Sequence, residues 1–186
     1  SCACDGLLHA HGLMVEGRNA GLVHRDLTPG NIMIDRTGVV KIMDFGFART
    51  GPWNEQSVED ETLQGTPPFM SPEQLETGST DHRSDLFSIG AIIYEMATGD
   101  RFFAGRTPIA SLLKVQNVEK WVHDASQMNP VNAAIPGLAE VVRGCLRKNP
   151  EDRYSDAGEL RGDIEALRRN VDPTPDLRDF IQEILH

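Results

Sequence analysis

From Ser84 to Thr98 the sequence is apolar on nearly every side of a helix, with Leu86, Phe87, Ile89, Ala91, Ile92, Ile93, Met96 and Ala97 spread around its turns. A helix with so little polar face has to be covered on all sides. The rest of the chain must therefore wrap around this segment, which puts a buried helix at the centre of the domain. Ser88, Gly90 and Glu95 interrupt the stretch, and it falls short of the roughly 20 apolar residues of a membrane span. Asp81 or Ser84 can cap its start and Gly99 can stop it.

A length of 186 residues suits one domain. Downstream, residues 107–117 read as a helix with Pro108 in its first turn. Ala134, Leu138, Val141, Val142, Cys145 and Leu146 form an amphipathic stripe that puts Cys145 in the core. Asp156 caps a helix carrying Leu160, Ile164 and Leu167, and Pro175 to Leu185 reads as a last short helix. Upstream, Leu7, Leu8, His11 and Val15 give residues 5–20 helical spacing, weakened by Gly12 and Gly17. Leu22-Val23 is a short extended piece. Ile32 to Ile34 and Val39 to Met43 read as strands joined by a turn at Asp35 to Gly38. Thr50 to Gln64 is polar and aperiodic, a long loop of the kind that usually carries function. The fold class is mainly α with a small β-hairpin.

The net charge of −10, from 28 acidic and 18 basic residues, disfavours nonspecific binding to nucleic acid or to an anionic membrane surface. The three cysteines, Cys2, Cys4 and Cys145, are too few for a disulfide framework and fit a reducing, cytoplasmic setting.

The chemistry-bearing residues gather around the strands. His24-Arg25-Asp26-Leu27-Thr28-Pro29-Gly30-Asn31 fits the pattern H-R-D-L-x-x-x-N at every fixed position, and Asp44-Phe45-Gly46 follows the second strand. On these motifs the chain resembles the protein kinase family. The resemblance covers nearly the whole chain. Gly65-Thr66-Pro67-Pro68-Phe69-Met70-Ser71-Pro72-Glu73 is similar to the segment ending the family's activation loop, with Ser71 where alanine is usual. Arg83-Ser84-Asp85-Leu86-Phe87-Ser88-Ile89-Gly90 and Asn149-Pro150-Glu151-Asp152-Arg153 resemble two further family segments. The wording Ser71-Pro72-Glu73-Gln74-Leu75 with Asp81 to Phe87 is most similar to bacterial-type serine/threonine kinases.

The resemblance implies transfer of the ATP γ-phosphate to a protein Ser or Thr hydroxyl, a reaction that needs positioning, charge neutralisation and metal coordination. On it, Asp26 orients the acceptor hydroxyl and takes its proton late, since an ordinary aspartate is a weak base at neutral pH. Asn31 and Asp44 hold Mg²⁺ through oxygen. Met33 packs under the adenine of ATP, and Thr28 and Thr66 flank the acceptor, Thr66 marking the serine/threonine class. His24 and Phe45 match members of a hydrophobic spine, and Gly46 completes the metal-binding tripeptide. Glu73 pairs with Arg153, and Asp85 braces the backbone of the catalytic loop. Arg25 receives a phosphate on the activation loop, with Thr62 the first candidate site and Ser57 and Thr50 behind it.

Two departures matter. Thr28 stands where serine/threonine kinases usually carry a phosphate-contacting lysine, and Met14 to Ala20 resembles an insertion before the catalytic loop. The sequence also has no G-x-G, and its lysines are Lys41, Lys114, Lys120 and Lys148, none at the place of the family's strand lysine. The expectation is therefore a protein-kinase-like C-terminal lobe over residues 1–170, an extension over 171–186, and a fragment inactive without its N-terminal lobe. A noncatalytic kinase-like scaffold is the alternative. A small-molecule phosphotransferase is disfavoured by the segment from Thr66 to Glu73.

Overall fold

The computed structural model describes residues 2–15, 18–19, 21–45, 66–76 and 80–171. In chain order the elements are α1 (Cys2–His11), β1 (Met14–Val15), β2 (Arg18–Asn19), β3 (Ile32–Ile34), β4 (Val40–Ile42), α2 (Pro72–Glu76) and α3 (His82–Thr98). They continue as α4 (Pro108–Gln116), α5 (Val118–Val122), α6 (Ala125–Ala134), α7 (Leu138–Cys145) and α8 (Ala157–Arg169). The architecture is mostly helical, with two small antiparallel strand pairs among the described residues where one hairpin is predicted. No described helix is long and apolar enough to cross a membrane.

The apolar segment is α3, and its residues Leu86 and Phe87 have no exposed surface. Asp81 is the cap, its carboxylate accepting the Arg83 N–H at 2.7 Å, and Gly99 ends the helix at φ 79°. Ser84 does not cap. It is buried within the helix and donates its hydroxyl to Glu73. Leu7, Leu27, Phe103, Val142, Leu146 and Leu160 complete the core around α3. Phe103 stacks on Phe87 with ring centroids 5.4 Å apart.

α3 and α7 meet at Gly90. A Cβ there would come within 2.4 Å of the Cys145 Cβ and 3.2 Å of Leu146. Neither helix can yield at a Cβ. We expect Gly90→Ala to lower stability by about 1–3 kcal/mol, although alanine is the better helix former by about 1 kcal/mol. A shift in the urea midpoint at constant m-value is the check. Cys145, at this contact, is fully buried, and burial pushes its thiol far up.

Three predicted boundaries move. Residues 5–20 are not one helix: α1 stops at His11, and Met14–Val15 pairs with Arg18–Asn19. Gly12 is a poor helix former, and β-branched Val15 prefers a strand. The stripe from Ala134 to Leu146 is split, Ala134 ending α6 and Leu138 beginning α7, with Gly137 at φ 89° between them. Residues 118–133, given no element from the sequence, form α5 and most of α6. Pro130 and an undirected apolar pattern hide this from periodicity. The hairpin is as expected, β3 pairing with β4 in the register Ile32↔Ile42, Met33↔Lys41, Ile34↔Val40. At its turn, the Thr37 hydroxyl and N–H and the Val39 N–H donate to Asp35, pulling that carboxyl down to about 2. The predicted loop at 50–64 and helix at 175–185 lie outside the described residues.

Candidate active site

The site begins with one buried carboxylate. Asp85, in the first turn of α3, has no exposed surface. It accepts the backbone N–H of His24 on Oδ2 and that of Arg25 on Oδ1, each at 2.9 Å, and His11 Nε2 on Oδ2 at 2.8 Å. The helix at the centre of the fold thus holds the loop at residues 24–31 by its main chain. The grip is needed, because Arg25 has φ 69°, a region that non-glycine residues seldom adopt. Asp44, at φ 58°, is the other described non-glycine residue of positive φ. Both belong to the predicted motifs, where backbone strain is commonly stored.

His24 is also fully buried. Its Nε2 is 2.9 Å from the Met43 carbonyl, and its Nδ1 accepts the Asp26 N–H at 3.3 Å. Both contacts are met by the neutral ring protonated at Nε2. The ring lies 4.7 Å from that of Phe45, so His24 joins the loop to the segment after β4. Asn31 closes the loop by donating Nδ2 to the Asp26 carbonyl at 2.8 Å, which leaves its amide oxygen as the atom suited to a hard cation. Asp44 follows β4 with an exposed side chain, and Met33 presents an exposed side chain on β3.

Asp26 is fixed from the far side. The N–H and hydroxyl of Thr66 both donate to its Oδ1, each at 2.9 Å. One carboxylate oxygen is thereby occupied across 40 positions of sequence. Thr28 precedes the short turn Pro29–Asn31, and its side chain makes no capping bond there. The structure therefore brings together Asp26, Thr66, Asn31, His24 and Phe45, with Asp85 and Arg25 behind them. Gly46, Thr50, Ser57 and Thr62 lie outside the described residues.

Comparison with known proteins fits this geometry. The family model described as Protein kinase domain matches residues 8–163. The chain belongs to the protein kinase family. It is 37% identical over 171 residues to serine/threonine-protein kinase PknB of Mycobacterium leprae, covering 92% of this chain and 26% of that protein. It is 36% identical over 176 residues to the protein of the same name from Mycobacterium tuberculosis H37Rv, again covering 92% of this chain and 26% of the relative. The probable serine/threonine-protein kinase CE0033 of Corynebacterium efficiens is 36% identical over 176 residues, covering 90% of this chain and 24% of the relative. The chain thus spans about a quarter of the length of the curated relatives it matches. Protein kinases as a family use ATP and Mg²⁺ and act on proteins.

Beside this cluster stands an ion pair. Arg153 donates NH1 and NH2 to Glu73 at 2.7 Å each, and further bonds to the carbonyls of Arg83, Lys148 and Arg147. The Arg153 side chain is fully buried and that of Glu73 is 14% exposed, so this is no solvated surface pair. Burial alone pushes the Glu73 carboxyl up, but the Arg153 hydrogen bonds and charge outweigh it and hold the group below its ordinary value. A depressed carboxyl adds stability above its unfolded-state value, and that stability is lost as pH falls through the folded-state value. We expect Glu73→Gln to cost about 3 kcal/mol at neutral pH, and the gap to wild type to narrow as the buffer is acidified. Urea midpoints across a pH series check both.

Two residues of the site are missed by the sequence reading. His11 reaches Asp85 from the end of α1, and nothing in its local sequence signals this. Gln74 bonds Ser71 and the Arg25 carbonyl. Its signal is the helix-start spacing Ser71-x-x-Gln74.

Proposed function

We propose that residues 1–170 are the C-terminal lobe of a serine/threonine protein kinase catalytic domain, that 171–186 are an extension of it, and that the whole protein transfers the ATP γ-phosphate to Ser or Thr hydroxyls of proteins. The observation that carries the reading is the pair of hydrogen bonds that Thr66 donates to Asp26 Oδ1. It joins the segment that would receive the acceptor to the carboxylate that would orient the hydroxyl, with a threonine as the joining residue.

In this reading Asp26 orients the acceptor hydroxyl and takes its proton as the phosphate departs. Thr66 keeps the carboxylate aimed, and Asn31 fixes the loop through the Asp26 carbonyl. Asn31 and Asp44 hold Mg²⁺, which neutralises phosphate charge. Met33 faces the adenine, and an N-terminal lobe with a glycine-rich loop and a strand lysine forms the other wall of the nucleotide site. Arg25 binds a phosphate on Thr62, Ser57 or Thr50. The free thiols support a reducing, cytoplasmic setting.

The test is transfer of labelled phosphate from MgATP to casein by the full-length protein, followed by phosphoamino-acid analysis. Phosphoserine and phosphothreonine that vanish on chelation of Mg²⁺ are expected. No transfer, or phosphotyrosine alone, overturns the reading. One observation favours a noncatalytic scaffold instead: Thr28 supplies no charge where a lysine is usual. The same assay separates the two.

A further inference from the structure

Gln74 carries no role in the reading above, yet both ends of its side chain are used. Its Oε1 accepts the Ser71 N–H at 2.9 Å and the Ser71 hydroxyl at 3.1 Å, the back-reaching half of a capping box at the start of α2. Ser71 has no exposed surface, so its N–H needs such a partner. Glutamate would serve this contact equally well.

The amide nitrogen does something that glutamate cannot. Gln74 Nε2 donates to the Arg25 carbonyl at 2.7 Å, 49 residues away in sequence. That carbonyl belongs to the peptide between Arg25, the residue at φ 69°, and Asp26. Asp85 holds the Arg25 N–H, Gln74 holds its carbonyl, and a rotation of the backbone at Arg25 breaks one or both.

The contacts close a ring. Arg25 leads covalently to Asp26, Asp26 is bonded to Thr66, and the chain runs from Thr66 to Ser71. Ser71 is bonded to Gln74, and Gln74 returns to Arg25. An amide side chain accepts at one end and donates at the other, which a carboxylate cannot do.

We propose that Gln74 is a positioning residue. It clamps the Arg25–Asp26 peptide and the segment from Thr66 to Ser71 in one register, and so keeps the Asp26 carboxylate aimed at the acceptor hydroxyl. The catalytic part of this rests on the kinase reading. The clamp itself does not.

The experiment compares full-length wild type, Gln74→Glu and Gln74→Met. Gln74→Glu keeps the oxygen for Ser71 and loses the donor to Arg25, whereas Gln74→Met loses both. The expected result for Gln74→Glu is a kcat about 10²-fold lower, the scale of a sub-ångström to ångström misplacement, with KM for MgATP unchanged. Its urea midpoint stays above that of Gln74→Met, because the cap of α2 survives. Amide exchange at Thr66 accelerates, because its acceptor Asp26 is no longer held. An active wild type with unchanged kcat and Thr66 exchange in Gln74→Glu overturns the proposal and leaves the kinase reading standing. So does a fall in kcat that only tracks the folded fraction. A wild type that transfers no phosphate sinks the kinase reading, and Thr66 exchange then decides the clamp alone: faster in Gln74→Glu supports it, unchanged overturns it.

Discussion

Asp26→Asn in the full-length protein should lower kcat by about 10²–10⁴-fold, the range of a lost general base. KM for MgATP and the unfolding midpoint should hold. The substitution is chosen for what it keeps. Asparagine has the size of aspartate and presents an oxygen where Thr66 donates its N–H and hydroxyl. The Asp26 main chain, which serves His24 and Asn31, is untouched. What is removed is the second carboxylate oxygen and the charge, the parts that would orient and deprotonate a hydroxyl. A loss confined to kcat marks an interaction made in the transition state. Phosphate transfer at near wild-type rate by the variant would remove Asp26 from the chemistry. A large drop in midpoint would instead make it a structural turn residue.

The division between legible and hidden features follows the range of the interactions. His24 to Asn31, Asp44-Phe45 and Thr66 to Glu73 are readable because each motif is a short run with fixed spacing, and the fold brings the runs together as wholes. Asp81, Thr107 and Asp156 are readable as helix starts, or next to them, because a cap is bonded to its own helix within a few residues. Gly99 is a readable stop for the same reason. Val15 misleads because helical spacing does not reveal that Gly12 has already ended the helix, and Ala134 because one stripe can run across two helices. His11 and Gln74 are hidden for a different reason. Their partners are 74 and 49 residues away, and a polar side chain near a helix end is, in sequence, indistinguishable from one that points into water. Gln74 could have been marked as half of a capping box, but no local pattern says that its amide nitrogen reaches Arg25.

Asp85→Ala should destabilise the protein by about 5 kcal/mol. The figure follows from three donors that one carboxylate now satisfies: the His24 N–H, the Arg25 N–H and His11 Nε2. A buried donor left without a partner costs about 1–3 kcal/mol, and water entering the cavity would relieve part of the sum. Asp85→Asn separates acceptor count from shape. Its single amide oxygen can serve one of the two backbone groups, while its NH₂ must face the other donor, so we expect it to recover less than half of the loss. The consequence does not stop at stability. Arg25 is held at φ 69° by bonds at both ends of its residue, and without Asp85 the bond at its N–H is lost while the Gln74 bond to its carbonyl stays. Relaxation of Arg25 toward an ordinary conformation would swing the Asp26 side chain away from Thr66. At temperatures low enough to keep Asp85→Asn folded, kcat should therefore still fall and Thr66 amide exchange should still rise. A folded Asp85→Asn protein with wild-type kcat would mean that the fold alone, without the carboxylate on the main chain of the loop, suffices to hold Asp26 in place.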